Sequence, residues 1–417
     1  MTTNAMTSAS TQSIARTISV AVVFTLFVAV VFGFGLYLFA LVVPVMRQRL
    51  GFDYTAIGLV TGGAQTAYLV AALVCPRLVK RYGAGQVIVG AVVAAALLLL
   101  LVAQVQNVLS VGLALAGLGA TAAFMMIPTV GAISETVPFD YRSRVNGLVS
   151  SGTAYGQFAN GVLVARLLPE HGWRSIWIVA GSASLVIALV GLLALRVFAP
   201  QVFVREAPPR AEHRSASGGV WRLVTRPNVT VWMLLALSGM ACGPWQNYLS
   251  SFLADERHHS LDIIGQVWST IGVVGLFSGF AAGMAADKAG VRIALAFSFA
   301  ALAGSGLLIA FHAEVWQLRA AAVCFGLSFY AIYGLIPAYI SKTVDAMAAT
   351  AVFAVANVLL GLGTTVGNVL GGHFPGWLGS LNAVFITASA LACVAMLLTA
   401  TLRDERTAAA QNNVKPS

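Results

Sequence analysis

Apolar residues gather along this chain in long runs separated by short polar breaks. The runs cover 18–46, 56–76, 86–104, 109–134, 145–165 and 175–195, then 229–253, 263–286, 293–311, 320–341, 347–372 and 380–402. Each is long enough for a helix to cross about 30 Å of hydrocarbon. Polar and apolar positions do not alternate within them, which excludes barrel strands. Helices are then the remaining way to satisfy the backbone in lipid. The pattern predicts an all-α polytopic membrane protein of twelve transmembrane helices in two pseudo-symmetric six-helix bundles. The predicted segments are a tail over 1–17, a bundle over 18–195, a central loop over 196–228, a second bundle over 229–402 and a tail over 403–417. The central loop holds Pro200, Pro208, Pro209, Pro227 and six arginines, the composition of a polar linker. The first run is too long for a signal-peptide core and is read as the first span.

The two halves repeat. Lys80-Arg81-Tyr82-Gly83 and Asp287-Lys288-Ala289-Gly290 follow the second and eighth spans at an offset of 207. Ile127-Pro128 and Ile336-Pro337 lie in the fourth and tenth, offset 209, as do Gly117-Leu118 and Gly326-Leu327. Gly172-Trp173 and Gly376-Trp377 precede the sixth and twelfth, offset 204. Such duplication is common among membrane transporters.

Composition agrees. Of 417 residues, 59% are hydrophobic and 9% charged, against about 25% charged in soluble domains. That excludes a soluble fold and intrinsic disorder. With both termini in the cytoplasm, the inner segments hold 18 of the 24 basic residues and the outer side 6: Arg47, Arg49, Arg166, Arg174, Arg257 and Arg319. Acidic residues divide 8 to 6, so the inner side carries the whole net charge of +10. This is the positive-inside pattern, and no soluble basic domain exists to bind nucleic acid. Short loops fit a bacterial inner membrane. Cys75, Cys242, Cys324 and Cys393 are scattered, without disulfide or zinc spacing. His258-His259 beside Asp255, Glu256 and Asp262 has the residue types of a metal site, but adjacent histidines do not readily share one tetrahedral ion, so a solvated outer loop is the favoured reading. No metal and no cofactor is expected.

Gly283-Met284-Ala285-Ala286-Asp287-Lys288-Ala289-Gly290-Val291-Arg292 resembles the G-x-x-a-D-[KR]-x-G-x-[KR] loop of the major facilitator superfamily. The resemblance extends over about 16–406. The first-half copy departs from it, with Pro76 for the glycine and Lys80 for the aspartate. Gly33-Phe34-Gly35-Leu36-Tyr37-Leu38-Phe39 with Val43-Pro44, Leu50-Gly51 and Gly172-Trp173-Arg174 is similar to oxalate/monocarboxylate-type carriers and to YbfB/YjiJ-type bacterial carriers. The resemblance implies a secondary carrier in the bilayer, expected to be a monomer, moving a small organic solute by alternating access, with proton symport among the coupling modes. A mono- or aromatic carboxylate is expected from the resemblance together with Arg47, Arg49, Arg166 and Arg174, which either attract anions at the outer mouth or anchor the helices at the interface. Efflux of amphipathic drugs or metabolites is the alternative.

None of the twelve runs contains Asp, Glu, Lys, Arg or His. Embedded charges mark proton and ion pathways. Their absence argues against a buried carboxylate relay or arginine clamp, and for hydrogen bonds and aromatic surfaces. In the superfamily, spans 1, 4, 7 and 10 line the path most closely, with 2, 5, 8 and 11 beside them. Polar and aromatic residues near span midpoints are then the substrate-binding candidates. In the first half they are Tyr37; Gln65 and Tyr68; Phe124; Tyr155, Gln157 and Asn160. In the second they are Trp245, Gln246 and Asn247; Trp268; Tyr330 and Tyr333; Asn357. The alternative for each is packing or interhelical hydrogen bonding. Cys242-Gly243-Pro244 before Trp245 marks a loosened helix. Gly152, Gly156 and Gly161 resemble, without its proline, the glycine motif of the superfamily's antiporters, and close helix packing by small residues is the favoured alternative.

The resemblance also implies a cytoplasmic gate. Arg81, Gly283, Asp287, Lys288, Gly290 and Arg292 fall in its two loop motifs. Glu135, Arg142 and Arg144 lie between spans 4 and 5, where Glu135, Pro138 and Arg142 resemble the E-x-x-P-x-x-x-R stretch. Ion pairs among these loops are expected to form on closing.

A membrane enzyme needs clustered catalytic groups. The six histidines are scattered and no acid pair sits in a span. No G-x-x-x-x-G-K-[ST] loop is present for ATP.

Overall fold

The computed structural model describes residues 16–203, 223–311, 314–344 and 346–402. These form twelve helices once the π turns are joined to their neighbours and the longest stretch is divided at Gly172. They are α1 (Arg16–Leu50), α2 (Tyr54–Tyr82), α3 (Ala84–Val102), α4 (Val108–Thr136), α5 (139–171), α6 (173–198), α7 (226–256), α8 (Leu261–Ala289), α9 (Val291–Phe311), α10 (Val315–Thr343), α11 (Ala346–Leu378) and α12 (Asn382–Thr399). Ten stretches are long and apolar enough to cross a membrane; one of them is α5 and α6 read together, and α7 is not among them. The polar Gln246 and Asn247 and the Gly243-Pro244 pair lower its hydropathy.

Local chemistry sets the helix ends. Asp53 accepts from the Ala56 N–H at 2.8 Å and opens α2. Asn107 and Ser110 cap α4 reciprocally. Gly83 and Gly290 close α2 and α8 at φ 89° and 94°, each returning its N–H to a helix carbonyl at 2.8 Å. An L-residue is strained at such angles. The helices therefore run further than predicted. Arg81, Asp287 and Lys288 were expected in loops and lie in the last turns of α2 and α8, while Arg142 and Arg144 lie in the opening turns of α5. Helix persists until a glycine ends it, and basic residues suit a helix C-terminus.

The duplication is visible in the contacts. A Cβ on Gly58 of α2 would stand 2.4 Å from the Asn368 carbonyl oxygen of α11. A Cβ on Gly265 of α8 would stand 2.8 Å from the Gly161 carbonyl oxygen of α5. Both partners shift by 207 positions between these joints. Each joins one half to the other by backbone approach, which suits lipid, where packing and not the hydrophobic effect holds helices together. Within the first half, a Cβ on Gly33 would lie 2.4 Å from the Gly156 Cα. The Gly152 and Gly156 stripe thus packs α5 on α1. Residues 29–37 of α1 and 252–256 of α7 wind as π-helix. A π turn admits an extra residue and re-aims side chains, often at functional sites.

Candidate functional site

Aromatic residues from both halves converge midway along the helices. The Tyr37 ring, at the end of the α1 π segment, meets Phe329 of α10 edge-on at 6.3 Å. Phe329 in turn contacts Tyr330 at 5.0 Å and Tyr333 at 4.8 Å. Behind it stands Phe325 at 5.5 Å, stacked on Trp245 of α7 at 3.8 Å. Tyr68 of α2 meets Phe32 edge-on at 6.4 Å.

One hydrogen bond joins the halves here. The Tyr330 hydroxyl donates to Gln157 Oε1 of α5 at 2.6 Å. Gln157 is fully buried, and its Nε2 has no partner among the described residues. Asn160, one turn on, donates to the Gly33 carbonyl of the π segment at 2.7 Å, and its Oδ1 is likewise unpartnered among the described residues. Gln246, next to the Trp245 that backs the stack, is 3% exposed, and among the described residues its Nε2 is also unpartnered. Unpaired buried polar atoms are rare and costly, about 1–3 kcal/mol each.

The other candidates fall elsewhere. Gln65 shares a face of α2 with Tyr68, and both are half-buried, as is Phe124 on α4. Tyr155 is 44% exposed, on the side of α5 that carries the exposed Leu148 and Val162 and away from Gly156 and Asn160. It faces lipid, because a single-residue step turns a side chain about 100° around a helix. Trp245 and Trp268 are fully buried within the second half. Trp245 backs the aromatic stack, and the Trp268 indole donates to Ser250 Oγ at 3.0 Å. Asn247 donates to Asn368 Oδ1 at 3.1 Å and Asn357 to its own helix at the Phe353 carbonyl, so both are spent on interhelical or local bonds.

At the face opposite the chain ends, Asp255 in the α7 π turn is 8% exposed. It accepts from Arg47 at 3.0 Å, from the Tyr54 hydroxyl at 3.1 Å and from Gln48 at 3.3 Å. The Arg47 guanidinium also lies 4.5 Å from the Tyr54 ring centre. Three side chains of the first half thus hold one carboxylate of the second. Its neighbour Glu256 turns the other way, accepting from Ser380 and the Leu381 N–H. This overturns the expectation of a solvated loop for Asp255 and Glu256. The Tyr248 hydroxyl donates to the Asn368 carbonyl at 2.8 Å, and Thr55 to that of Gly372 at 3.4 Å. Every inter-half contact named so far lies between the middle of the helices and this face.

The other face differs. Asp287 pairs with Lys342 of α10 at 3.7 Å, within its own half, both groups open to solvent. The pairs expected between the facing loops belong to the closed face; in this arrangement Asp287 pairs inside its own half. Arg142 caps α4, donating from Nε to the Val137 carbonyl at 3.0 Å and from Nη2 to that of Ser134. Arg144 and Arg81 lie against Tyr141 and Tyr82, while Glu135 and Arg292 are exposed. A Cβ on Gly283 would meet nothing within 4 Å, nor would one on Gly131, Gly147, Gly279 or Gly334.

Comparison with known proteins agrees with this architecture. The family model of the Major Facilitator Superfamily matches residues 25–363 and 247–416. The chain is 30% identical over 166 residues to a 4-hydroxybenzoate transporter, PcaK, of Pseudomonas putida, covering 39% of this chain and 37% of that one. It is 24% identical over 225 residues to a cis,cis-muconate transport protein of Acinetobacter baylyi, covering 51% and 52%. A gallate transporter of Pseudomonas putida is 29% identical over 163 residues, covering 39% and 35%. The chain thus spans about a third to a half of these relatives' lengths. Among solved structures, the nucleoside transporter NupG superposes with a TM-score of 0.75 at 13% identity, over 93% of this chain and 99% of that one. A bacterial homologue of the human lysosomal transporter Spinster, inward-facing and unoccupied, gives 0.74 at 13% identity, over 97% and 99%.

Proposed function

The chain belongs to the Major Facilitator Superfamily, and we propose that it is a secondary transporter carrying a small aromatic carboxylate by alternating access. The joint between Tyr330 and Gln157 carries this reading. It sits between halves, beside aromatic rings, and leaves the Gln157 amide N–H without an acceptor. A carboxylate only accepts, so it matches an orphan donor. Gln246 Nε2 is a second such donor. The rings of Tyr37, Phe329 and Tyr333 give flat apolar surface to an aromatic body. The relatives named for 4-hydroxybenzoate, gallate and cis,cis-muconate support an acid as the cargo.

The cluster holds no Asp, Glu, Lys, Arg or His, so a coupled proton travels on the substrate's own carboxyl or through a gate acid. The Arg47–Asp255 latch closes one face and separates when that face opens. Basic residues concentrate at the face where the described chain begins and ends, which supports a cytoplasmic side there and an inward-facing state. We read the carrier as a monomer, and its membrane as a bacterial inner one, which the relatives' bacterial sources support.

The test is uptake of labelled 4-hydroxybenzoate into proteoliposomes, with gallate, muconate and tetraphenylphosphonium as competitors. Saturable uptake competed by the acids, and weakened in Gln157→Leu, is expected. Transport of the lipophilic cation alone, with no acid uptake, would overturn the reading in favour of efflux.

A further inference from the structure

A groove of about 460 Å³ runs between α5 of the first half and α8 and α10 of the second, on the outer flank of the bundle. It plays no part in the aromatic cluster. Its floor is Gly161 against Gly265 and Ser269, where a Cβ on Gly161 would stand 2.2 Å from Ser269 Oγ. Its walls include Val162 and Val273, 41% and 42% exposed. Two arginines stand at one end, Arg166 of α5 and Arg319 of α10.

The two arginines are set differently. Arg319 Nη2 donates to Gln266 Oε1 at 3.2 Å, and the Gln266 amide donates to Asp262 at 2.8 Å. Gln266 therefore turns its carbonyl to Arg319 and steadies the guanidinium. Arg166 has no hydrogen-bond or ion-pair partner among the described residues. With Asp262 counted, the group keeps one net positive charge. Depth follows from helix rise. Arg166 is six residues before the Gly172 turn, about 9 Å along the axis. Arg319 is in the opening turns of α10. Both lie at headgroup level at the face opposite the termini. From Gln266 to Val274 the groove descends eight residues of α8, about 12 Å, into the apolar zone.

We propose that this groove binds one anionic phospholipid, its phosphate between Arg166 and Arg319 and an acyl chain along Val162 and Val273. Charge at the headgroup end and an apolar trough below it match that molecule's two parts. The lipid touches both halves where their backbones meet. It therefore favours the conformation closed at this face, because a ligand shifts an equilibrium toward the state it binds better.

The test uses the full-length protein in nanodiscs of phosphatidylcholine, titrated with phosphatidylglycerol of the same acyl chains, with glycerol phosphate as the soluble arm. Melting temperature and lipid retention in native mass spectrometry are read together. Phosphatidylglycerol raises the melting temperature, and Arg166→Gln with Arg319→Gln weakens retention by about tenfold or more, each lost charged hydrogen bond costing that order. Val273→Trp, which fills the trough and keeps both arginines, also removes the lipid. Equal stabilisation by added phosphatidylcholine, full effect from glycerol phosphate, or retention unchanged in both variants would each overturn the proposal.

Discussion

The two faces of the molecule are built differently from similar sequence. At the face opposite the termini, one nearly buried carboxylate is held by three side chains of the other half, and helices touch at backbone distance. At the terminus-bearing face, the motif aspartate makes an exposed ion pair inside its own half. Asp255 is largely shielded from water, so removing one of its partners leaves a charge that solvent cannot fully satisfy. The exposed pair is worth about 0–1 kcal/mol. A carrier with one tight and one loose face is in one of its two end states, and the tight face decides which.

The sharpest way to break this contrast is Asp255→Ala. It leaves Arg47 without its partner and costs the closed arrangement about 2–3 kcal/mol. Labelling of a cysteine placed at Thr55, from the face opposite the termini, should rise by more than tenfold. Next, Gly161→Val puts a side chain into Ser269 and the Gly265 backbone, whereas Gly283→Val enters open space. The first should lose about 1–3 kcal/mol of stability by overpacking, and the second should change within about 0.5 kcal/mol. Equal losses in thermal unfolding would remove the asymmetry. Tyr330→Phe deletes the donor to Gln157 and leaves a buried carbonyl unsatisfied. With folding retained, an increase of about tenfold in KM is expected for the proposed aromatic carboxylate. The smallest effect belongs to Asp287→Asn, which should shift the melting temperature little while changing transport rate.

Much of the fold was legible because lipid leaves few choices. Long apolar runs in water-free surroundings must be helices, and the Gly83 and Gly290 turns stood at the repeat offset. The aromatic cluster was partly legible, since Tyr37, Tyr68, Tyr330 and Tyr333 are central in their spans. Tyr155 was misplaced because depth along a helix says nothing about its direction around it. The latch was missed because Arg47 and Asp255 each look like ordinary interfacial charge. The signal was there in combination. They stand 208 positions apart, inside the repeat offset, with opposite charges. Equivalent positions near a pseudo-two-fold axis meet one another, so opposite charges there predict a pair. Phe325, Phe329 and Asn368 gave no comparable signal, being ordinary residues of apolar helices.

The two faces are expected to open reciprocally about the central cluster. Spin labels at Arg81 and Arg292 report the terminus-bearing face, and labels at Arg49 and Trp316 report the other. Pulsed dipolar distances are compared between the otherwise unaltered protein and Asp255→Ala in the same nanodiscs. The first distance is expected to shorten while the second lengthens. Two unchanged distances, or two that lengthen together, would contradict it.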